Sequence, residues 1–367
     1  MLKEQAFVGK DIKAMNWDNL RVGYTPYDKG LIAPGDRRRF AFYANERRIK
    51  YEVADPLNKY DIVYLTYGCN LSVWIAYKKD NPNTKIIFEL IDSYLLENTN
   101  ALTLLRGASR YFQGKENRLW LDYKTALRKI ISISDAVVCS TEAQKTNMID
   151  INKNIHISLD FFSNDINHHK SILKSKNKFK LVWEGRAYTV SNLLLLKNVF
   201  EMIGNDLELY IITDPVIKTS FNRFNKNTIN VLNKLKFDYY FIDWKINSFS
   251  KEIANADLAI IPIEYNNPMM WNKPENKLLL FWEIGIPVLT SDTPAYRRVM
   301  DAAGLDLYCA TSDEWVRKIK DYMTSSIDYK ESIVKKSNNY IAEFHNKDSI
   351  LKKWDGIFNS LQIELRK

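Results

Sequence analysis

The chain has 367 residues, too many for one core of ordinary size, and two domains of about 150 to 180 residues each are expected. Its 53 Lys and Arg against 44 Asp and Glu give a net charge of +9, and no apolar run approaches the ~18 residues of a membrane-spanning helix. Cys69, Cys139 and Cys309 are odd in number and far apart, which argues against a disulfide framework and for a reduced compartment. No Cys/His spacing suggests a metal site, and His168-His169 is a lone pair in a polar stretch. Without an apolar leader and cleavage site near the N-terminus, a soluble cytoplasmic protein is expected. The basic balance suits anionic partners, but no nucleic-acid motif accompanies it and no nucleic acid is expected. A lysine-rich surface kept for solubility accounts for the charge equally well.

Residues 1–19 are polar with a few apolar positions and suit a short leading helix. Leu20 to Tyr24, Asp61 to Tyr67, Lys85 to Leu90, Ala136 to Ser140 and Ile155 to Leu159 are apolar runs of strand length, with helical stretches between them such as Arg37 to Arg48 and Leu71 to Lys79. That alternation predicts an α/β domain with a doubly wound parallel sheet, in which ligands bind at the carboxyl ends of the strands. Two segments lie there. Thr25 to Asp36 contains Pro26, Gly30, Pro34 and Gly35 and runs into Arg37-Arg38-Arg39. Asp36 is suited to cap the next helix, and Arg37 to meet phosphate or an acidic acceptor; a plain cap with solvated arginines matches the same residues. The second segment is Glu89 to Tyr94. A carboxylate just past a strand end can act as general base on an acceptor hydroxyl, which makes Asp92 the first candidate and Asp36 the second, while capping a following helix is the plainer role for Asp92. Residues 97–130 read as a mostly helical insertion. Arg106, Arg110, Lys115 and Arg118 mix there with aromatics, a combination that suits either a membrane surface or a helix packed on its own domain.

Lys170 to Lys180 has the composition of a linker. Beyond it come a strand at Phe179 to Trp183 with Gly185-Arg186 behind it, a helix over Asn192 to Ile203, a strand at Leu207 to Thr213 ending at Asp214, a strand at Tyr239 to Ile242 leading to Asp243-Trp244, and a short helix over Phe249 to Asn255. Leu258 to Ile263 has the continuous apolar pattern of a strand buried on both faces. After a polar loop, Glu264 to Asn272, the run Lys273-Pro274-Glu275-Asn276-Lys277 opens a helix, with Pro274 at a first helical position. Gly285 and Pro287 end that helix before a strand at Val288 to Thr290. First-turn N–H groups have no internal partner and carry the positive end of the helix dipole. Lys273 and Lys277, four apart, would share a face there and with the Asn276 amide cradle a diphosphate; two ordinary lysines on a solvated turn match the pattern as well. After Met323 the chain is helical, and Trp354, Ile357, Phe358 and Leu361 form one apolar stripe.

The segments ANADLAIIPI (254–263), NKLLLFWEIGIPVLTS (276–291) and PAYRRVMDAAG (294–304) resemble the donor-binding half of the GT-B glycosyltransferases, of the bacterial surface-polysaccharide type. The likeness extends over roughly Phe179 to Met323. It implies two Rossmann-like doubly wound parallel-sheet domains facing a cleft: 1–169 on the acceptor side, 170–340 for the nucleotide-sugar donor, and 341–367 as a helix crossing back to the first. It implies a hexosyltransferase-type enzyme that moves a sugar from a nucleotide sugar to a hydroxyl of a glycan or lipid-linked saccharide. Such an enzyme would work in the cytoplasm or at the inner face of the membrane, with peripheral membrane association for a lipid-linked acceptor. No cofactor is implied, and with no D-x-D motif in the chain no metal is expected. The resemblance places the donor diphosphate with Gly185, Arg186, Lys273, Asn276 and Lys277, adds Asp214 and Glu275 to the donor side, sets Trp244 beside the base, and puts Gly35 and Arg37 on a loop facing the cleft. Two family charges are absent: Leu280 stands where a ribose-binding glutamate is usual, and Ser191 where a lysine is common. Glu275 and Glu283 keep the family's E-x7-E spacing in a different register. Two rivals stand beside it: a non-catalytic glycan- or partner-binding protein of the same fold, which the departures at Leu280 and Ser191 favour, and a nucleotide-sugar epimerase of the same fold.

Overall fold

A computed structural model describes residues 17–97, 101–171, 178–217 and 226–362. Most of the expected leading helix and residues 172–177 of the expected linker lie outside the described residues; only a 3₁₀ turn at Trp17–Asn19 falls within. The chain divides into two compact units. One comprises Met1–Ile91, Thr99–Ser158 and Leu351–Lys367, the other Asp92–Asn98 and Leu159–Ile350.

The first unit is built on six strands: β1 (Val22–Thr25), β2 (Tyr51–Val53), β3 (Ile62–Thr66), β4 (Lys85–Leu90), β5 (Ala136–Cys139) and β6 (Ile155–Ile157). They lie in the order β2-β1-β3-β4-β5-β6 and every pairing is parallel. Every residue of β1, β3 and β5 is buried, so the strands read as unbroken apolar runs instead of alternating ones. The sheet is flanked by α1 (Pro34–Arg38), α2 (Phe40–Glu46), α3 (Leu71–Asp80), α4 (Ala101–Phe112), α5 (Tyr123–Ile133) and α6 (Glu142–Met148). The single helix expected over Arg37 to Arg48 starts three residues earlier and is broken at Arg39, whose φ of −125° and ψ of −118° are not helical. Asn70, Asp122 and Thr141 cap α3, α5 and α6 with their side chains, the last in a capping box with Gln144.

The second unit repeats the plan with β7 (Phe179–Glu184), β8 (Leu207–Thr213), β11 (Tyr239–Asp243), β12 (Leu258–Ile261), β13 (Val288–Ser291) and β14 (Tyr308–Cys309), all parallel in the order β11-β8-β7-β12-β13-β14. β9 (Val216–Ile217) and β10 (Lys226–Asn227) form a small antiparallel pair. Its helices are α7 (Lys197–Ile203), α8 (Thr228–Leu232), α9 (Phe249–Ala254), α10 (Pro268–Trp271), α11 (Asn276–Ile284), α12 (Pro294–Ala302), α13 (Ser312–Thr324), α14 (Ile327–Phe344) and the start of α15 (Lys347–Asn359). From Leu351 onward α15 belongs to the first unit. There Trp354, Ile357, Phe358 and Leu361 are buried, and the rings of Trp354 and Phe358 lie 5.7 and 5.2 Å from that of Tyr43.

Two local expectations are corrected. Asn192 to Leu196 continues a 3₁₀ stretch from Ala187, and the α-helix begins only at Lys197. Pro274 is not inside a first helical turn: α11 starts at Asn276 with Glu275 as its N-cap, and the preceding loop holds the short α10. The helix does end as its sequence requires, with Gly285 left-handed at φ 88° and its N–H donating to Trp282 O at 2.9 Å. Counted from its own first strand, the second sheet has the order 3-2-1-4-5-6 of dinucleotide-binding folds, and the first has the flavodoxin-like order 2-1-3-4-5 with one strand added. Each sheet therefore has a point where the winding reverses, between β1 and β3 in one and between β7 and β12 in the other, and ligand crevices form at the carboxyl ends there.

Candidate active site

In the second unit, β7 delivers Glu184 to that reversal point. Gly185 follows, its N–H donating to Ile212 O at 3.1 Å; a Cβ on it would stand 2.7 Å from the Trp183 indole, so only glycine leaves room for the ring. Arg186 opens the 3₁₀ stretch with an exposed guanidinium 3.8 Å from the Asp214 carboxylate, which lies just past β8. Lys277, on the first turn of α11, meets the same place from the other side. Its ammonium donates to the Glu184 carboxylate at 2.8 Å and also reaches the Glu184 carbonyl, 5.9 Å from the Trp183 ring centroid. Lys273 lies in the loop before α11, 5.3 Å from the ring centroid of exposed Tyr188. Gly185, Arg186, Asp214, Lys273 and Lys277 are thus brought together, but not as expected. The two lysines do not share a helix face, because Lys273 precedes the helix; they converge because both meet the turn after β7.

Other expected donor residues sit differently. Asn276 accepts from Asp160 N at 3.2 Å, which ties the start of α11 to that segment. Glu275 is buried and turned toward α12, where Arg298 donates to one of its oxygens; the other is buried with no hydrogen-bond partner among the described residues. Burial, then the Glu275 charge, hold the neighbouring Tyr296 phenol well above its ordinary range. Trp244 donates its N–H to Thr213 O at 3.1 Å and stacks on Phe249 with centroids 5.5 Å apart, so one ring face is taken by packing and the side chain is half-buried. Glu184 escaped the sequence reading, although a carboxylate closing the apolar run Leu181 to Trp183 was its signal.

In the first unit, Asp36 is fully buried. Its Oδ1 accepts from the Tyr24 hydroxyl at 2.6 Å and from Tyr27 N at 2.8 Å, and its Oδ2 from Asp28 N at 3.0 Å. It is not the helix cap: Ala33 holds that position, and Asp36, three residues on, folds the preceding loop onto itself. Gly35 lies under the Tyr27 ring, where a Cβ would come within 2.6 Å of a ring carbon. Arg37 donates its Nε–H to Ile32 O at 3.0 Å within the same loop. Beneath the loop lies a network the sequence reading missed. Buried Arg39 donates to Glu89 at 2.6 Å, and the Tyr64 and Tyr27 hydroxyls donate to the two oxygens of Glu89 at 2.7 Å each. Burial, reinforced by the Glu89 charge, pushes the Tyr27 and Tyr64 phenols well above their usual range.

Asp92 falls within the second unit, half-buried, and among the described residues nothing hydrogen-bonds to or ion-pairs with its carboxylate. A turn over 94–97 follows it instead of a helix, so its expected capping role is absent; its carbonyl accepts from Tyr94 N at 2.9 Å, and the Ser93 hydroxyl donates to Asn272 O at 3.1 Å. Among the described residues no three His, Cys, Asp or Glu side chains group to hold a metal ion.

No family model matches the sequence, and no curated protein matches it. Solved structures do. A glycosyltransferase from Rickettsia africae superposes with a TM-score of 0.58 at 11% identity over 94% of this chain and 100% of that one. HepE from Anabaena, solved with UDP and glucose, gives 0.62 at 12% over 94% and 100%. WaaG, a glycosyltransferase of lipopolysaccharide biosynthesis, gives 0.54 at 14% over 92% and 99%. The fold is GT-B. Within this GT-B chain, the residues gathered around Glu184 occupy the reversal point of the second sheet, and those around Asp36 the reversal point of the first.

Proposed function

We propose that the protein is a glycosyltransferase that moves a sugar from a nucleoside diphosphate sugar to a hydroxyl of a glycan or lipid-linked saccharide. The observation that carries this reading is the gathering of Arg186, Lys273 and Lys277 around the turn after β7, on the reversal point of a sheet with dinucleotide-binding strand order. Three cations and a helix N-terminus complement a diphosphate. They would also stabilise the charge that develops on the leaving nucleoside diphosphate, which assigns to side chains the work a metal does elsewhere. HepE was solved with UDP and a trehalose-6-phosphate enzyme from E. coli with UDP-2-fluoro glucose, so uridine diphosphate is the first donor nucleotide to try. Asp92 is the general-base candidate this reading retains, because among the described residues its carboxylate has no hydrogen-bond or ion-pair partner; the buried Asp36 then positions its loop.

Glu184 has a defined part in this scheme. It compensates Lys277 in the absence of donor, and an arriving diphosphate competes with it for the ammonium. The same contact favours one rival reading, a protein of this fold that binds without turnover, as does Leu280, which is buried in the core where a ribose contact would be needed.

A thermal-shift titration with UDP, GDP and ADP tests the assignment. One nucleotide at about 100 times its dissociation constant adds about 2.7 kcal/mol, which for a unit of this size raises the melting temperature by about 5–10 °C. Lys277→Ala and, separately, Lys273→Ala should abolish that rise. A rise unchanged in both would sink the donor-site assignment. A rise without sugar release or transfer from the matching nucleotide sugar would favour the binding protein.

A further inference from the structure

Each of the three cations around the turn after β7 is held in a different way. Lys277 is paired with the Glu184 carboxylate at 2.8 Å, and Arg186 stands 3.8 Å from that of Asp214. Lys273 has no such partner. Among the described residues its ammonium makes no hydrogen bond or ion pair, and what it meets is the ring of Tyr188, 5.3 Å from the centroid. Glu275, the acid nearest to it in sequence, is buried and turned to Arg298.

The backbone on both sides holds this contact. A 3₁₀ helix has three residues per turn, so residues i and i+3 lie one above the other. Ala187, Val190, Leu193 and Leu196 follow that period, and all four are buried. The Thr189 N–H and hydroxyl both donate to Arg186 O at 2.8 Å and close the first turn. Tyr188, between the first two anchors of that stripe, is left outside with 57% exposure. On the other side, Lys273 N donates to Met270 O at 3.2 Å at the end of α10, and Pro274 behind it disfavours a helical backbone at Lys273. The lysine is thereby kept off α11 and over the ring.

A cation over an aromatic face is oriented without being neutralised. A carboxylate in the place of that ring would compete with an incoming phosphate, as Glu184 does at Lys277. We propose that Tyr188 is a positioning residue of the donor site: its ring holds the Lys273 ammonium, unpaired, for a phosphate of the nucleoside diphosphate. This role rests on the donor reading above, and it falls to a side chain that the family resemblance does not single out.

Isothermal titration calorimetry of the full chain with UDP, GDP and ADP tests it. For the nucleotide that binds, Tyr188→Leu keeps an apolar side chain without a ring face and should raise the Kd about 2–5-fold, the strength of an exposed cation–π contact. Tyr188→Phe keeps the face and should match the wild type. Tyr188→Glu sets a carboxylate against both the lysine and the ligand and should raise the Kd at least ~10-fold. All three variants should melt with the wild type in the absence of nucleotide, because the side chain is exposed. A Kd unchanged in Tyr188→Leu, or raised as much in Tyr188→Phe, overturns the role of the ring; if Tyr188→Glu still weakens binding, the donor site itself stands. If none of the three nucleotides binds the wild type, the donor reading falls and this role with it.

Discussion

Replacing Asp36 by Asn separates two roles for one carboxylate. In the structure the group is fully buried and accepts three hydrogen bonds, two from the loop amides of Tyr27 and Asp28 and one from the Tyr24 hydroxyl. An amide is the same size but keeps only one acceptor. Its better orientation leaves the oxygen with Tyr24 and Tyr27 and sets the NH₂ against the Asp28 N–H, donor against donor. Losing one charge-assisted bond costs about 1.5–3 kcal/mol, and the two that survive weaken when their acceptor becomes neutral. A total near 3 kcal/mol is expected, or about 6–12 °C in melting temperature for a unit of this size. Urea denaturation followed by tryptophan fluorescence should show the midpoint falling by about 1–2 M with an unchanged slope. Kinetics below the variant's own melting temperature complete the test. A displaced loop raises the acceptor KM, whereas a lost general base lowers kcat by ~100-fold or more at constant KM. An Asp36→Asn protein that melts with the wild type and loses only kcat would refute the buried-anchor reasoning.

Other expectations follow from the same packing. Gly185→Ala forces a methyl to 2.7 Å from the Trp183 indole and should destabilise the second unit by about 1–3 kcal/mol, read by calorimetry. Burial pushes the thiols of Cys69, Cys139 and Cys309 up to about 12, so the native protein should resist a thiol reagent that labels all three once urea unfolds it. Burial, then the nearby Lys145, hold the His156 imidazole below its ordinary value. The folded chain therefore takes that proton less readily than the unfolded one. The His156 contribution to stability is full above the unfolded pKa of about 6.5 and declines as the pH falls through it, and His156→Asn should flatten that part of the melting-temperature profile.

The strands that carry the architecture were legible because parallel sheets covered on both faces need unbroken apolar runs. Leu207 to Thr213 and Lys85 to Leu90 were read to the residue. The edge strand at Tyr51–Val53 was not, since one half-buried and two exposed residues leave no apolar run. The site was harder for a different reason. Lys277 and Glu184 meet across 93 residues of sequence, and Asp36 is buried by partners that a loop folds over it, so neither contact has a local signature. The sequence also placed Lys273 on a helix because Pro274 suits a first turn, but the turn begins only after Glu275. The family resemblance, not a local pattern, singled out Gly185, Arg186 and Asp214, and the structure sets all three just past the ends of β7 and β8.

The return of α15 to the first unit fixes an order of events during synthesis. The core of that unit includes Trp354, Ile357 and Phe358, with Tyr43 stacked on Trp354 and Phe358. A nascent chain can pair β1 to β6 early, but the face occupied by these rings stays open until the ribosome has made the whole second unit, from Leu159 to Ile350. Every pairing in that early sheet is parallel and made across a crossover, so no hairpin is available to close it sooner. The first unit is the first to be translated and the last to be completed, and a chain that stops short of Trp354 leaves Tyr43 and its neighbours as an exposed aromatic face.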